Sequence, residues 1–165
     1  MPSPLLSASL PSPSQKDAIF YSGEALRQDL ARTRVAWGDA QSSRNRDAIY
    51  EYLTAVYALV TWWAAEGQDL VQAQRAVRLS GLDDFTQENP FAAVIRCTAD
   101  PAKADKRTRR KWSRLMRYAA EHKLNSEPLD RFIRRKGGIN VCAARFSRRV
   151  GRRAAKRFER RLTRG

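Results

Sequence analysis

Hydrophobic side chains recur at steps of three and four residues along most of the chain, which is the spacing of one face of an α-helix. The first such stretch runs from Asp17 to Trp37, and Gly38 is expected to end it. Its inward face is predicted to consist of Leu26, Leu30, Thr33 and Trp37.

The second predicted helix has the broadest apolar face of the chain. Ser43 is its expected cap and Gly67 its expected end. The members of its main stripe are Ile49, Leu53, Val56, Val60 and Trp63. A second stripe, beside the first, contains Tyr50, Tyr57 and Ala64. A helix with so wide an apolar face is either the central member of a bundle or the seam of a homodimer or another partner contact.

A third helix is predicted from Asp69 to Leu79, with Gly81 closing it. The residues expected to face inward are Leu70, Ala73 and Val77. The segment 82–90 that follows is interpreted as a solvated loop. Its acidic residues, which are Asp83, Asp84 and Glu88, are not expected to bind a metal because no second carboxylate cluster supports them.

The ends of this front region differ in composition from its helices. Residues 1–16 are rich in proline and serine and are predicted to be a disordered leader. A short apolar segment, residues 91–99, leads to Asp100-Pro101, a dipeptide typical of a boundary. We therefore expect a front helical bundle over residues 17–100 and a separate back module over residues 101–165.

Three more helices are predicted in the back module, which makes the expected fold all-α. The first spans Ala104 to Lys123 and faces inward through Trp112, Leu115, Met116 and Ala119. The second begins at Ser126 with Pro128 in its first turn, and it stops at Gly137-Gly138. Its inward residues are Leu129, Phe132 and Ile133. The third is capped by Asn140 and runs almost to the end, with Val141 or Cys142, Phe146, Val150, Ala154 and Phe158 inward.

The positive charge of the chain is concentrated in this back module. The formal net charge is +15, and arginine supplies 25 of the 32 basic residues. Residues 1–100 hold nine basic and twelve acidic residues, whereas residues 101–165 hold 23 basic and five acidic ones. A net charge of +18 on so short a module is self-repelling without an anionic partner, which favours nucleic acid as that partner.

The order of long helix, short helix, Gly-Gly turn and basic helix resembles a helix-turn-helix DNA-binding unit over residues 111–153. With Gly137 as the turn glycine, Ile133, Ala143 and Phe146 fall on positions that the motif keeps apolar. Ile133 is bulkier than the alanine usual at its place, and two glycines rather than one occupy the turn. The resemblance implies that the last helix enters the major groove and presents Asn140, Ala144, Arg145, Arg148 and Arg149 to base edges.

The remaining cations are predicted to hold phosphates. Those on the first basic helix are Lys106, Arg107, Arg109, Arg110 and Lys111, and those on the second are Arg131, Arg134 and Arg135. Those farther along the last helix are Arg152, Arg153, Lys156, Arg157, Arg160 and Arg161. Cations at the start of a helix oppose its dipole, so their placement there fits phosphate binding better than stability. The last helix is expected to be basic on nearly all sides and partly to fold on binding.

No motif of an enzyme is present in the sequence. His122 is the only histidine and ends a helix, where it is typically a partner of the helix dipole. Cys97 and Cys142 lack CxxC spacing and are expected to be small buried side chains. We predict no catalytic residue, metal site, cofactor or small-molecule substrate.

The sequence also argues against a membrane location. Its longest uncharged stretch, residues 52–65, is too short to span a bilayer, and no secretory signal is visible. A cytoplasmic protein is therefore expected, associated with the nucleoid if it binds DNA.

These features favour a non-enzymatic DNA-binding protein whose front bundle dimerises or docks a partner, such as a regulator or maintenance protein of a plasmid or phage. An RNA-binding or ribonucleoprotein component is the first alternative, since arginine-rich helices also bind structured RNA. A module that contacts anionic membrane or another protein is the second, although its apolar residues are sparse.

Overall fold

The computed structural model describes residues 21–82 and 89–162, apart from the side chains of Phe158 and Leu162, and contains seven helices and no strand in that part of the chain. The helices are α1 (Gly23–Ser42), α2 (Ala48–Ala65), α3 (Asp69–Leu79), α4 (Pro90–Thr98), α5 (Lys106–His122), α6 (Leu129–Arg135) and α7 (Ile139–Leu162). The predicted all-α class is confirmed for these residues. The leader, Asp17 and the loop residues Asp83, Asp84 and Glu88 lie outside them.

Helix α1 begins and ends at other residues than predicted. The Ser22 side chain accepts a hydrogen bond from the Ala25 amide at 3.0 Å, which starts the helix at Gly23 rather than at Asp17. Gly38 does not end the helix, because a glycine in an exposed helix interior lowers helix stability by only about 1 kcal/mol relative to alanine. The last turn closes instead where the Ser43 amide donates to the Asp39 carbonyl, so Ser43 ends α1 and does not cap α2. The predicted inward residues Leu26, Leu30, Thr33 and Trp37 are all buried.

Helix α2 is the central helix of the bundle. Leu53, Val56, Val60 and Trp63 are each no more than 2% exposed, and Ile49 packs half-buried against the same core. Because these side chains lie inside the chain's own core, the stripe fits the first predicted alternative, the central member of a bundle. Its use as a partner seam stays a prediction, one that this burial disfavours. Gly67 ends the helix as predicted, with a φ of 65°.

Helices α3 and α4 complete the front of the core. The bounds of α3 are as predicted, but Leu70 is 58% exposed, and Gln72 and Ala76 are buried beside Ala73 and Val77. Helix α4 was not predicted as a helix. It is started by the Asn89 side chain, which accepts from the Ala92 amide at 3.1 Å, and it is buried along most of its length against α1, α2, α3 and α5.

One aromatic cluster joins the front helices to α5. The rings of Trp37 and Tyr52 meet edge-on at 5.1 Å, and both contact Trp112 of α5, at 5.9 and 6.0 Å. The Tyr52 hydroxyl is hydrogen-bonded to Thr98 at 2.8 Å. The apolar core therefore continues past Asp100-Pro101. The division into a front bundle over residues 17–100 and a back module over residues 101–165 stays a prediction.

The three predicted helices of the back region are present with shifted starts. Helix α5 buries Trp112, Leu115, Met116 and Ala119, and α6 buries Leu129, Phe132 and Ile133, as predicted. Helix α6 begins after Pro128 rather than at a Ser126 cap. Gly137 and Gly138 both have φ of 100° and end α6 as predicted. The Gly138 carbonyl then accepts from the Cys142 amide at 3.1 Å, so Asn140 lies in the first turn of α7 and is not its cap.

Only the first part of α7 packs against the core. Cys142, Ala143 and Phe146 are buried, whereas Val150 is 47% exposed and Ala154 is also exposed. The prediction that Val150 and Ala154 face inward is wrong, because α7 continues past the end of α5. Each described residue from Val150 to Arg161 is exposed. We call this stretch, residues 150–161, the α7 arm.

Candidate nucleic-acid interface

Helices α5 and α7 lie side by side and run in the same direction. Residues from the first half of each helix line a common concavity, while Arg149 of α7 reaches Glu121 and His122 at the end of α5. Arg117 of α5 also lies over the Phe146 ring, 4.5 Å from its centroid. Because α5 ends at His122, the α7 arm has no helix beside it in the described part of the chain.

The concavity between the two helices, which we call the α5–α7 groove, has a volume of about 360 Å³. Its lining consists of Arg107, Lys111, Arg114, Asn140, Ala143, Ala144 and Ser147. The three cations recur at the four- and three-residue steps of one helix face, and Asn140, Ala144 and Ser147 repeat this spacing on α7. Among the described residues, no carboxylate lines the groove.

Arg114 is the one cation of the groove that sequence reasoning missed. It lies seven residues after Arg107 and three after Lys111, so it occupies the same face of α5. The helical spacing alone could have identified it. Ser147 was also missed, and its hydroxyl donates to the Ala143 carbonyl at 3.1 Å.

The α7 arm presents its cations on one side. Arg152, Arg153, Lys156 and Arg157 are exposed, as are Arg160 and Arg161 beyond them. These positions recur in pairs every four residues, so they share a sector of the helix, and Gly151, Ala154 and Ala155 occupy the sector opposite. The prediction that the helix is basic on nearly all sides is therefore wrong.

Arg149, predicted to face a base edge, is bound within the protein. Its guanidinium lies 2.6 Å from the Glu121 carboxylate and 3.1 Å from Nε2 of His122. His122 Nδ1 lies 2.9 Å from the Tyr118 carbonyl oxygen, which can only accept, so Nδ1 carries the hydrogen and Nε2 accepts from Arg149. His122 thus has a structural role at the end of α5, where it also stacks on Tyr118.

The two arginines at the end of α6 are also held by carboxylates. Arg134 lies 3.0 Å from Asp47 and over the Tyr50 ring, and this hydrogen bond raises the pKa of its guanidinium. Arg135 donates two hydrogen bonds to Glu127, at 2.8 and 2.7 Å. That pairing raises the pKa of Arg135 and lowers the pKa of Glu127. Both arginines join α6 to its surroundings and are less available to phosphates than predicted.

The cations at the start of α5 divide between two faces. Lys106, Arg107 and Arg110 are exposed and Lys111 is half-buried, whereas Arg109 is half-buried with its Nε atom enclosed and without a hydrogen-bond partner among the described residues. The side chain of Asp105 accepts from the Thr108 amide at 2.7 Å and caps the helix. This bond, chiefly, lowers the pKa of Asp105, and the charges of Arg107 and Lys111 lower it further. A carboxylate at the helix start partly offsets the cations that follow it.

The remaining predicted contacts of the back region are exposed. Arg131 of α6 and Asn140, Arg145 and Arg148 of α7 all reach solvent. Cys142 and Cys97 are buried, as expected, and burial raises the pKa of the Cys142 thiol.

A second concavity, between α1 and α2, differs in its chemistry. It has a volume of about 570 Å³, and its lining includes Tyr21, Leu59 and Trp62. The charged residues in its lining are Asp29 and Arg32, which form an ion pair with each other. This groove therefore lacks the positive charge of the α5–α7 groove.

No family model, curated protein or solved structure matches this chain. Across residues 21–82 and 89–162, no helix has both the length and the apolar character needed to cross a bilayer. The same residues contain no group of three or more His, Cys, Asp or Glu side chains arranged to hold a metal ion.

Proposed function

We propose that this protein binds nucleic acid, with DNA favoured over RNA, and that it does so without catalysing a reaction. The observation that carries the proposal is the concentration of accessible cations on α5 and α7, at the α5–α7 groove and along the α7 arm. Cations line one wall of the groove and recur along the arm, and both surfaces lie open to solvent. Each phosphate that such a surface neutralises releases condensed counterions, which is the main source of affinity for nucleic acid.

The exposed residues on the first turns of α7 are suited to base edges. Asn140, Arg145 and Arg148 carry the donors that pair with adenine and guanine in the major groove. A helix of this kind, preceded by a short helix and a glycine turn, fits the helix-turn-helix mode of binding, and duplex DNA is favoured for that reason. Arg149 is excluded from this set because Glu121 and His122 hold it.

We propose that any pairing of two copies uses a surface other than the main stripe of α2. That stripe is enclosed in the core, so pairing of two copies would need exposed residues elsewhere. A dimer on DNA would give a two-fold site with half-sites about one helical turn apart.

The test is a titration of the full chain with fluorescently labelled nucleic acids at several salt concentrations. A 20-base-pair duplex, its single strands and a structured RNA hairpin of equal length serve as probes. We expect tightest binding to the duplex and a linear fall of log affinity with log salt. Preference for the hairpin would identify RNA rather than DNA as the ligand, and absence of binding to every probe at low salt would contradict the proposal.

A further inference from the structure

We infer that the α5–α7 groove is a phosphodiester-binding subsite that holds one strand of the nucleic acid and fixes its position, an inference that rests on the proposed function. The cations of the α7 arm lie on the other side of α7 from the groove and contribute affinity elsewhere on the nucleic acid, whereas the groove sets where the strand lies. The groove differs from a generally basic surface because its charge lines a concavity.

The length of the cationic wall matches several phosphates of one strand. Arg107 and Arg114 are seven residues apart on α5, which corresponds to about 10 Å along the helix axis. Consecutive phosphates of one strand are farther apart along the backbone than their rise of about 3.4 Å along the duplex axis. Arg107, Lys111 and Arg114 can therefore contact two or three consecutive phosphates of a strand lying along the groove.

The floor of the groove permits a backbone to approach the wall closely. Ala143 is 5% exposed and Ala144 is half-buried, so the α7 side of the groove is formed by methyl groups rather than by long side chains. The Ser147 hydroxyl is already donating to the Ala143 carbonyl. The donors that face the groove are thus the three cations and the exposed amide of Asn140.

The positive charge of the groove is only partly offset by acids. The charge of Asp105 offsets part of the charge of Arg107 and Lys111, but Asp105 is a single carboxylate. It accepts a hydrogen bond from the Thr108 amide, which fixes it at the start of α5. Glu121, the other acid on α5, is paired with Arg149 beyond the far end of the groove. An anion in the groove would therefore meet a net excess of cations.

The first test fills the groove without changing any charge. Ala144→Leu places a branched side chain on the floor, and we expect about tenfold weaker binding to the 20-base-pair duplex, with a salt slope shallower by about two units as phosphate contacts are lost. The matched control is Ala120→Leu, which makes the same change at an exposed position on α5 turned away from the groove. It should bind as the wild type does.

If Ala144→Leu does not fold, as judged by circular dichroism, a second pair of variants tests whether the groove binds phosphates. Arg114→Gln removes one cation from the groove, and Arg78→Gln removes one from an exposed position on α3. The net charge is the same in both. We expect the salt slope to fall by about 0.9 for Arg114→Gln and to stay unchanged for Arg78→Gln.

The outcomes separate the two proposals. If the wild type binds the duplex and the groove variants bind equally well, the subsite is overturned and the proposed function stands. If the wild type binds no nucleic acid, the proposed function itself fails. Millimolar inorganic phosphate should displace the duplex from the wild type more than chloride of equal ionic strength does, because it competes for the same cations, and this excess should be lost in Ala144→Leu. An equal excess in both proteins would overturn the subsite.

Discussion

The guanidinium of Arg149 lies 2.6 Å from the carboxylate of Glu121 and joins α7 to the last turn of α5. This contact marks the end of the packed part of α7. Before it, Cys142, Ala143 and Phe146 lie in the core, and after it each described residue is exposed. One helix therefore serves the fold over its first half and presents cations to solvent over its second half.

The neighbouring arginines Arg148 and Arg149 should respond oppositely to replacement. Arg149→Ala is expected to lower the free energy of unfolding by about 0.2–1 kcal/mol, the usual range for a partly exposed ion pair, and to change nucleic-acid affinity little. Arg148→Ala should leave stability unchanged and weaken binding, because Arg148 is exposed. Urea unfolding and the salt-dependent titration measure the two effects.

A double-mutant cycle with Glu121→Gln isolates the pair itself. If Arg149→Ala costs as much stability in the Glu121→Gln background as in the wild type, the two residues do not interact in solution. Weaker binding by Arg149→Ala than by Arg148→Ala would restore the original prediction that Arg149 contacts the nucleic acid.

The α7 arm should contribute to binding but not to folding. Replacing Arg152, Arg153 and Arg157 by glutamine is expected to make the salt slope shallower by about three units, at about 0.9 per phosphate contact, with an unchanged melting temperature. The control replaces Arg44, Arg46 and Arg78, which are exposed on the front region, and so makes an equal change in net charge. An equal reduction of the salt slope in the two triple variants would show that net charge alone drives binding.

The aromatic cluster should make the described helices unfold together. Trp112 is 7% exposed and contacts both Trp37 and Tyr52, so Trp112→Ala is expected to lower the free energy of unfolding by about 3–5 kcal/mol. In the wild type, urea transitions followed by tryptophan fluorescence and by far-ultraviolet circular dichroism should coincide. Two separate transitions would instead support independent front and back modules.

The sequence was sufficient to predict most of the core, because burial follows helical periodicity. The stripes of α1, α5 and α6 and the main stripe of α2 were assigned correctly from spacing alone. In α2, however, Ala64 of the predicted second stripe is exposed, and the buried Tyr52 was missed.

Periodicity does not show where a neighbouring helix ends. Val150 was wrongly predicted to face inward because α7 continues past the end of α5. Leu70 was misplaced because the buried face of α3 is formed by small residues and Gln72, a face that apolar spacing does not mark. Ser126 is not the cap because α6 begins only after Pro128, whose ψ of 146° is not helical.

The candidate site was predictable in its charge but not in its shape. The excess of cations after Pro101 is a property of composition, and the shared face of Arg107, Lys111 and Arg114 follows from spacing. The groove itself depends on α5 and α7 running side by side, which no local pattern encodes. The pairing of Arg134 with Asp47 was equally inaccessible, because the two residues are distant in sequence and are brought together only when α6 packs on α2.

Two carboxyl groups of the back region should make stability depend on acidic pH. The Arg135 guanidinium lowers the pKa of Glu127, and the Thr108 amide lowers the pKa of Asp105. A folded-state pKa below the unfolded value gives stability that is fully present above the unfolded pKa of about 4 and is lost as the pH falls through the folded pKa. Urea midpoints of the wild type should therefore decline below about pH 4. Glu127→Gln and Asp105→Ala should be less stable than the wild type at pH 7, and the gap should narrow at pH 2. A gap that stays constant with pH would mean that neither carboxylate stabilises the fold through its charge.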